Sequence, residues 1–283
     1  MDMPKLNIGF VSTRFAGTDG VSLEANKWAE VFHRSGHHCF WFAGEVDQEE
    51  EISFSISEAH FKHQKNREIN QQVFGAAQRE LSVTEEIHAL RMTLKFQLHR
   101  FIGQYKINLL VVENALSIPL NIPLGLAITE IISETGIACI AHHHDFYWER
   151  TRFLKNAVGE YLQMAFPPKL PAIQHVVINT KARSELAHRR GIAAALIPNV
   201  LDFENPKRIN GKKKEAIRQS LDLNRDDIVI LQPTRVIKRK GIEIAVELVK
   251  ALKDPRCKLV ISHQGDDEGV EYGQWLTNYA QEC

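Results

Sequence analysis

Residues 137–150 read IACIAHHHDFYWER, so an apolar run ends in three consecutive histidines and an aspartate. His142, His143, His144 and Asp145 all carry atoms that bind zinc or iron, and a metal-dependent hydrolase is one reading of the cluster. Strand geometry limits that reading. Alternate side chains of a strand share a face, so His142 and His144 point one way and His143 the other. Three consecutive strand residues do not converge on one ion without a sharp bend. A site on His142, His144 and Asp145 needs a further ligand from elsewhere, and no HExxH set is evident. A buried, hydrogen-bonded imidazole is the common role for His142 or His143. The DFYWER that follows puts polar and aromatic groups at the mouth of a sheet, suited to sugar stacking and hydroxyl bonding, or equally to packing between domains.

Two loops carry further chemistry. In LQPTRVIKRKGIEIAVEL (231–248) a strand ends at Thr234, a basic loop follows, and a helix starts at Gly241. Arg235 and Lys240 flank the turn, and free amides of the helix start point the same way. Two cations at the positive end of a helix form a phosphate-binding arrangement. The alternative is a solvated basic turn, the role expected of Lys238 and Arg239. The loop STRFAGTDGVSLE (12–24) joins a first strand to a first helix and lacks GxGxxG, so a dinucleotide fingerprint fits poorly. Gly17 and Gly20 would let a ligand approach the backbone closely at the carboxyl ends of the strands. A plain strand–helix connection would look the same.

The elements behind these loops follow from apolar patterning. Strands are expected at 6–12, 38–44, 52–56, 108–114, 137–143, 175–180 and 194–199, separated by helix-length segments that include a long helical region at 66–104 broken near Ser82. In the first helix Val21, Ala25, Trp28, Ala29 and Phe32 share a face, Asp19 or Ser22 could cap the start, and Gly36 suits the end. Near-continuous apolar strands alternating with helices imply an α/β fold with a parallel sheet covered on both faces. Residues 1–200 are therefore expected to form a Rossmann-like domain, 201–214 a polar linker ending in a basic run, and 215–283 part of a second Rossmann-like domain. That second part holds only two clear βα units, at 228–234 with a helix whose buried stripe is Ile242, Val246, Val249 and Leu252, and at 258–262 with a helix from about Glu271. Two parallel strands leave sheet faces and an edge exposed, so an incomplete domain, with possible self-association through it, is expected.

Composition narrows the rest. Lys plus Arg (35) equals Asp plus Glu (35), which removes any bulk electrostatic argument for nucleic acid or an anionic membrane. Four scattered cysteines without CxxC, and no apolar leader, favour a reducing cytoplasm. The most apolar stretch, NLLVVENALSIPLNIPLGLAI, is broken by Glu113, asparagines and prolines, and reads as strand, loop and helix instead of a membrane span.

Taken together, these segments resemble the retaining nucleotide-sugar glycosyltransferases of the GT-B fold (family 4-like), which include sucrose-phosphate and phosphatidylinositol mannosyl transferases. GFVSTRFAGTDGVSLEANKW resembles the family's first strand, acceptor loop and first helix. HHHDFYWER resembles its strand-end His or His-Asp, which makes His144 the family histidine. VINTKARSELAHRRGI…ALIPNVLDF is similar to the segment leading to IPNGVD, with Val200-Leu201 in place of Gly-Val. PTRVIKRKGIEIAVEL resembles the GR…KG segment, with Thr234 in place of the glycine. The resemblance implies hexose transfer from a UDP-sugar or GDP-sugar to a small hydroxyl acceptor, such as glycerate or glucosylglycerate derivatives, with retention and no required metal. By the same match Arg235, Lys240 and Gly241 bind the donor diphosphate, His144 meets the donor sugar, and Gly17, Thr18, Asp19, Gly20 and Asp145 border the acceptor. The family's second domain ordinarily runs about another hundred residues and carries an E-x7-E segment that this sequence lacks. A binding-only, catalytically weak fragment is therefore the alternative.

Overall fold

The computed structural model describes residues 4–201, 203, 210–263 and 270–282, and divides into two compact units, Met1–Leu201 and Asp202–Cys283. The first unit holds β1 (Asn7–Val11), α1 (Gly20–Arg34), β2 (His38–Ala43), β3 (Ser53–Ser55), α2 (Gln64–Val73), α3 (Leu81–Tyr105), β4 (Leu109–Glu113), α4 (Ile122–Thr135), β5 (Ala138–His143), α5 (Thr151–Leu154), α6 (Gly159–Ala165), β6 (Ile173–Val177), α7 (Thr180–Arg190) and β7 (Ala194–Leu196). Its strands form one parallel sheet in the order β3-β2-β1-β4-β5-β6-β7. The strand order turns outward from β1 and β4, so the loops after β1, β4 and β5 lie side by side at the carboxyl edge, where open α/β sheets bind ligands.

Both faces of this sheet are covered. On one, α3 sets Val83, Ile87, Leu90, Leu94, Leu98 and Phe101 inward at intervals of three and four residues, and α4 is apolar almost all round because it too is enclosed. Arg91 and Lys95 of α3 reach Glu130 of α4 on the outer side. On the other face Ala25 and Ala29 of α1 are buried, with Val21, Trp28 and Phe32 partly buried around Phe10 and Trp41. Asp19 caps α1 and Gly36 follows its end at φ 85°. Gly44 admits no side chain, because a Cβ there would sit 2.1 Å from the backbone N of His60.

The helical region at 66–104 is interrupted at 74–80, not at Ser82, which lies inside α3. Tertiary hydrogen bonds win over helical pattern there: Gly75 N donates to Lys155 O at 2.8 Å, and Phe74 pairs with Asn156 as an antiparallel bridge. The strand expected at 175–180 starts earlier, at Ile173, and Asn179 instead caps α7 through the Ala182 amide.

The second unit contains α8 (Gly211–Ser220), β8 (Ile228–Gln232), α9 (Ile242–Leu252), β9 (Cys257–Ile261) and α10 (Val270–Glu282), with β8 and β9 parallel. Of the expected linker 201–214, residues 202 and 204–209 lie outside the described residues, and its basic run forms the first turn of α8, capped by Asn210. Ile242 and Val246 are buried against Leu276, as the stripe predicts, but Val249 is only partly buried and Leu252 is exposed. Ile228, Val229 and Leu231 of β8 are exposed as well, together with Ile244 and Leu248 on α9. No helix among the described residues is long and apolar enough to cross a membrane.

Candidate functional site

The histidine run divides as strand alternation requires. The register of β4 on β5 sets Glu113 opposite His142. The Glu113 carboxylate accepts from His142 Nδ1 at 3.0 and 3.2 Å and from His144 Nε2 at 3.2 Å. Glu113 and His142 have no exposed side-chain surface, while His144 keeps 13%. Burial alone would raise the Glu113 pKa, but the hydrogen bonds from the two imidazoles outweigh it and hold the group below the usual carboxylate range. Since an ionised carboxylate only accepts, His142 presents Nδ1–H and His144 presents Nε2–H. The three ligand-type atoms lie within 4.8 Å of one another, a two-nitrogen, one-oxygen set that suits zinc in number and type. Their separations are equally those of hydrogen bonds. Trp28 of α1 stacks on His142, ring centroids 4.7 Å apart.

His143 faces the opposite side of the sheet, where its Nε2 lies 2.9 Å from His175 Nδ1 on β6. Burial drives both pKa values down, His143 well below its ordinary value and His175 to about 4. The pair is neutral at pH 7 and shares one hydrogen bond, so His143 is a core residue.

Asn114 ties the strand end together from a left-handed conformation at φ 59°. Its side-chain oxygen accepts the His144 N–H at 2.9 Å, and its Nδ2 lies 3.3 Å from Asp145 Oδ1. Asp145 is otherwise engaged by Arg150, whose Nε donates at 2.8 Å, so it does not join the two histidines: Glu113 occupies the place that the metal reading gave to Asp145. Of the aromatic residues after it, Phe146 is fully buried among Val177, Ala182, Leu186 and Ile192 with half-buried Trp148 stacked on it, so these two pack against α7, while Tyr147 is half-buried.

Next along the edge, the loop after β1 is held from within. Gly17 adopts φ 78°, which only glycine takes without strain, and its N–H donates to Asp47 at 2.7 Å. Thr18 and Gly20 are exposed. Asp19 receives the Val21 and Ser22 amides and an Arg14 contact at 2.9 Å. Burial raises its pKa, but the bonds from Arg14 and Ser22 prevail and lower it. Asp19 is thus committed to capping, and the loop's exposed backbone at Gly17, Thr18 and Gly20 is what a ligand would meet.

In the second unit, β8 ends at Gln232 and Lys238–Lys240 form an exposed turn. Arg235 and Lys240 are both exposed, and Gly241 starts α9 from φ 58°. The helix start is not fully open, contrary to the sequence reading: the Ile242 N–H donates to the Tyr272 hydroxyl at 3.0 Å, and that hydroxyl in turn donates to Glu243. A residue 30 positions downstream supplies this cap, which no local pattern announces.

The residue that sequence reasoning missed is Glu113. It registered only as an interruption of an apolar run; the available signal was a carboxylate as the last residue of a strand, and reading it required knowing that β4 lies beside β5.

No protein-family model matches the chain. It is 33% identical over 252 residues to a mannosylglucosylglycerate synthase from Thermotoga maritima, an alignment covering 88% of this chain and 57% of that protein. The chain therefore spans under three-fifths of that relative's length. Among solved structures, a sucrose-phosphate synthase from Thermosynechococcus elongatus superposes with a TM-score of 0.64 at 13% identity, covering 98% of this chain and 68% of that one. A protein from Anabaena, solved in complex with UDP and glucose, gives 0.61 at 11% identity, over 99% and 66%. In sequence and in fold, the chain is a relative of the GT-B nucleotide-sugar glycosyltransferases of the family 4-like type.

Proposed function

We propose that the chain takes part in transferring a hexose from a nucleoside-diphosphate sugar to a small hydroxyl acceptor of the glucosylglycerate kind, with retention at the anomeric carbon. In that reaction the bond from the anomeric carbon to the diphosphate oxygen breaks. The acceptor oxygen bonds to the same face of the sugar, and its proton leaves with the diphosphate. Arg235 and Lys240 would offset the charge that develops on the departing diphosphate, as cationic side chains in place of a metal. His144 would hold a hydroxyl of the donor sugar, and the backbone at Gly17–Gly20, with Asp145, would border the acceptor. The donor nucleotide in this proposal is UDP or GDP, and the reaction is cytoplasmic. The observation that carries the reading is the similarity, along most of the chain, to a synthase whose named product is a glycoside of glycerate.

A second reading is nucleotide or sugar binding without turnover. It is favoured by β8 and α9, whose apolar faces are exposed among the described residues. Titration calorimetry with UDP and with GDP, run beside an assay for sugar transfer from UDP-glucose and GDP-mannose, separates the two. Transfer supports the first reading, binding alone supports the second, and neither binding nor transfer rejects both.

A further inference from the structure

Glu113 is a buried carboxylate with no arginine or lysine among the side-chain partners that its hydrogen bonds name. An isolated carboxylate taken out of water is costly and requires a positive or strongly donating counterpart. Here the counterparts are two imidazoles from one strand end, at positions two residues apart. One of them, His142, is fully enclosed and stacked on Trp28. The other, His144, retains some exposure at the carboxyl edge of the sheet.

We infer that Glu113 is a positioning residue: it claims Nε2 of His144, fixes that ring's tautomer and orientation, and leaves Nδ1 as the atom that meets a ligand hydroxyl. The last clause rests on the glycosyl-transfer reading above; the first two do not. Glu113 is itself immobile. Its backbone oxygen accepts from Ser12 Oγ at 2.9 Å, and its strand partner His142 accepts the Asn114 N–H at 3.0 Å through its own carbonyl. The His144 backbone is pinned by the Asn114 side chain, itself bonded to Ser117 Oγ at 3.1 Å. With backbone and one ring nitrogen both fixed, little freedom remains for the imidazole. A ring nitrogen whose partner is set by a bond at the other nitrogen is the ordinary way a protein selects a histidine tautomer. His142 completes the device by giving the carboxylate a second donor.

The competing use of the same atoms is as ligands for a divalent ion, and the test distinguishes the two. The full chain, labelled with 15N at its histidine rings, is read by NMR at neutral pH. The expected result is His144 with protonated Nε2. A lone pair on that nitrogen overturns the inference without any variant. Glu113→Met removes the acceptor at similar size and is expected to relax the Nε2–H preference from complete to the partial one of a free imidazole. Glu113→Gln keeps one carbonyl oxygen able to accept both bonds, and is expected to restore the complete preference. An unchanged His144 pattern in Glu113→Met overturns positioning. Stoichiometric zinc that moves both His142 Nδ1 and His144 Nε2 to metal-bound shifts also overturns it, in favour of a metal site. Saturating UDP-glucose or GDP-mannose is expected to perturb Nδ1 while Nε2 stays protonated. Indifference to both sugars with the tautomer intact rejects the ligand contact and leaves the positioning in place.

Discussion

Trp28 lies nearly flat on His142, the planes inclined by 29° and the centroids 4.7 Å apart, although the two residues belong to a surface helix and an interior strand. The indole covers one face of an imidazole that also meets Glu113 and the His144 ring. Trp28→Ala is expected to destabilise the first unit by about 3 kcal/mol, the usual cost of deleting a large ring with incomplete collapse around it. Trp28→Phe should recover at least half. Urea denaturation midpoints would measure both, and a Trp28→Ala midpoint equal to wild type would refute the packing role.

Lys240→Ala should weaken binding of UDP or GDP at least tenfold, as expected when a charge-assisted phosphate contact is lost. Calorimetric titration decides it, and an unchanged affinity would reject the diphosphate clamp.

Asp19→Ala removes the α1 cap and the Arg14 partner together and should cost about 1–2 kcal/mol. Asp19→Asn keeps a capping oxygen but loses the charge, and should cost less. Because its folded pKa is depressed below the ordinary aspartate value of 3.8, the stability Asp19 contributes is present above that pH and lost as pH falls through the lower folded value. Comparing melting temperatures of the three proteins at pH 7 tests the ranking.

His143 and His175 set a pH limit of their own. Burial holds His175 at about 4 against 6.5 unfolded, and His143 well below 6.5 in the same way. The unfolded chain therefore takes up more protons, so the stability is full above about pH 6.5 and is lost as pH falls toward about 4. His175 alone accounts for on the order of 3 kcal/mol across that window. Denaturant midpoints at pH 7 and pH 4.5 should differ accordingly, and His175→Phe should flatten the difference. Equal slopes in the two proteins would show that the pair is not buried neutral.

Much of the first unit was legible from local pattern. The apolar runs gave all seven strands to within a few residues, because a parallel sheet buries both faces and leaves an uninterrupted signal. Alternation correctly separated His143 from His142 and His144. What failed was whatever depended on residues far apart in the chain. Glu113 meets the histidines only through the β4–β5 register, Tyr272 reaches back to cap α9, and the interruption before α3 is set by hydrogen bonds to 155–157. Leu252 fits a helical stripe yet stays exposed, since periodicity identifies a face without saying what packs against it.

The separation of His142 and His144 from His143 also makes the site a matter of parity. Even-numbered histidines meet the acid and the odd one meets His175. Slipping β5 by one residue against β4 would bring His143 to the Glu113 side and send His142 and His144 to the opposite face of the sheet, the side of His175. Length changes confined to the turn before Ala138 leave the strand pairing, and with it the parity, untouched. Natural or engineered variation should therefore be tolerated in that turn and not as a one-residue shift of the strand itself.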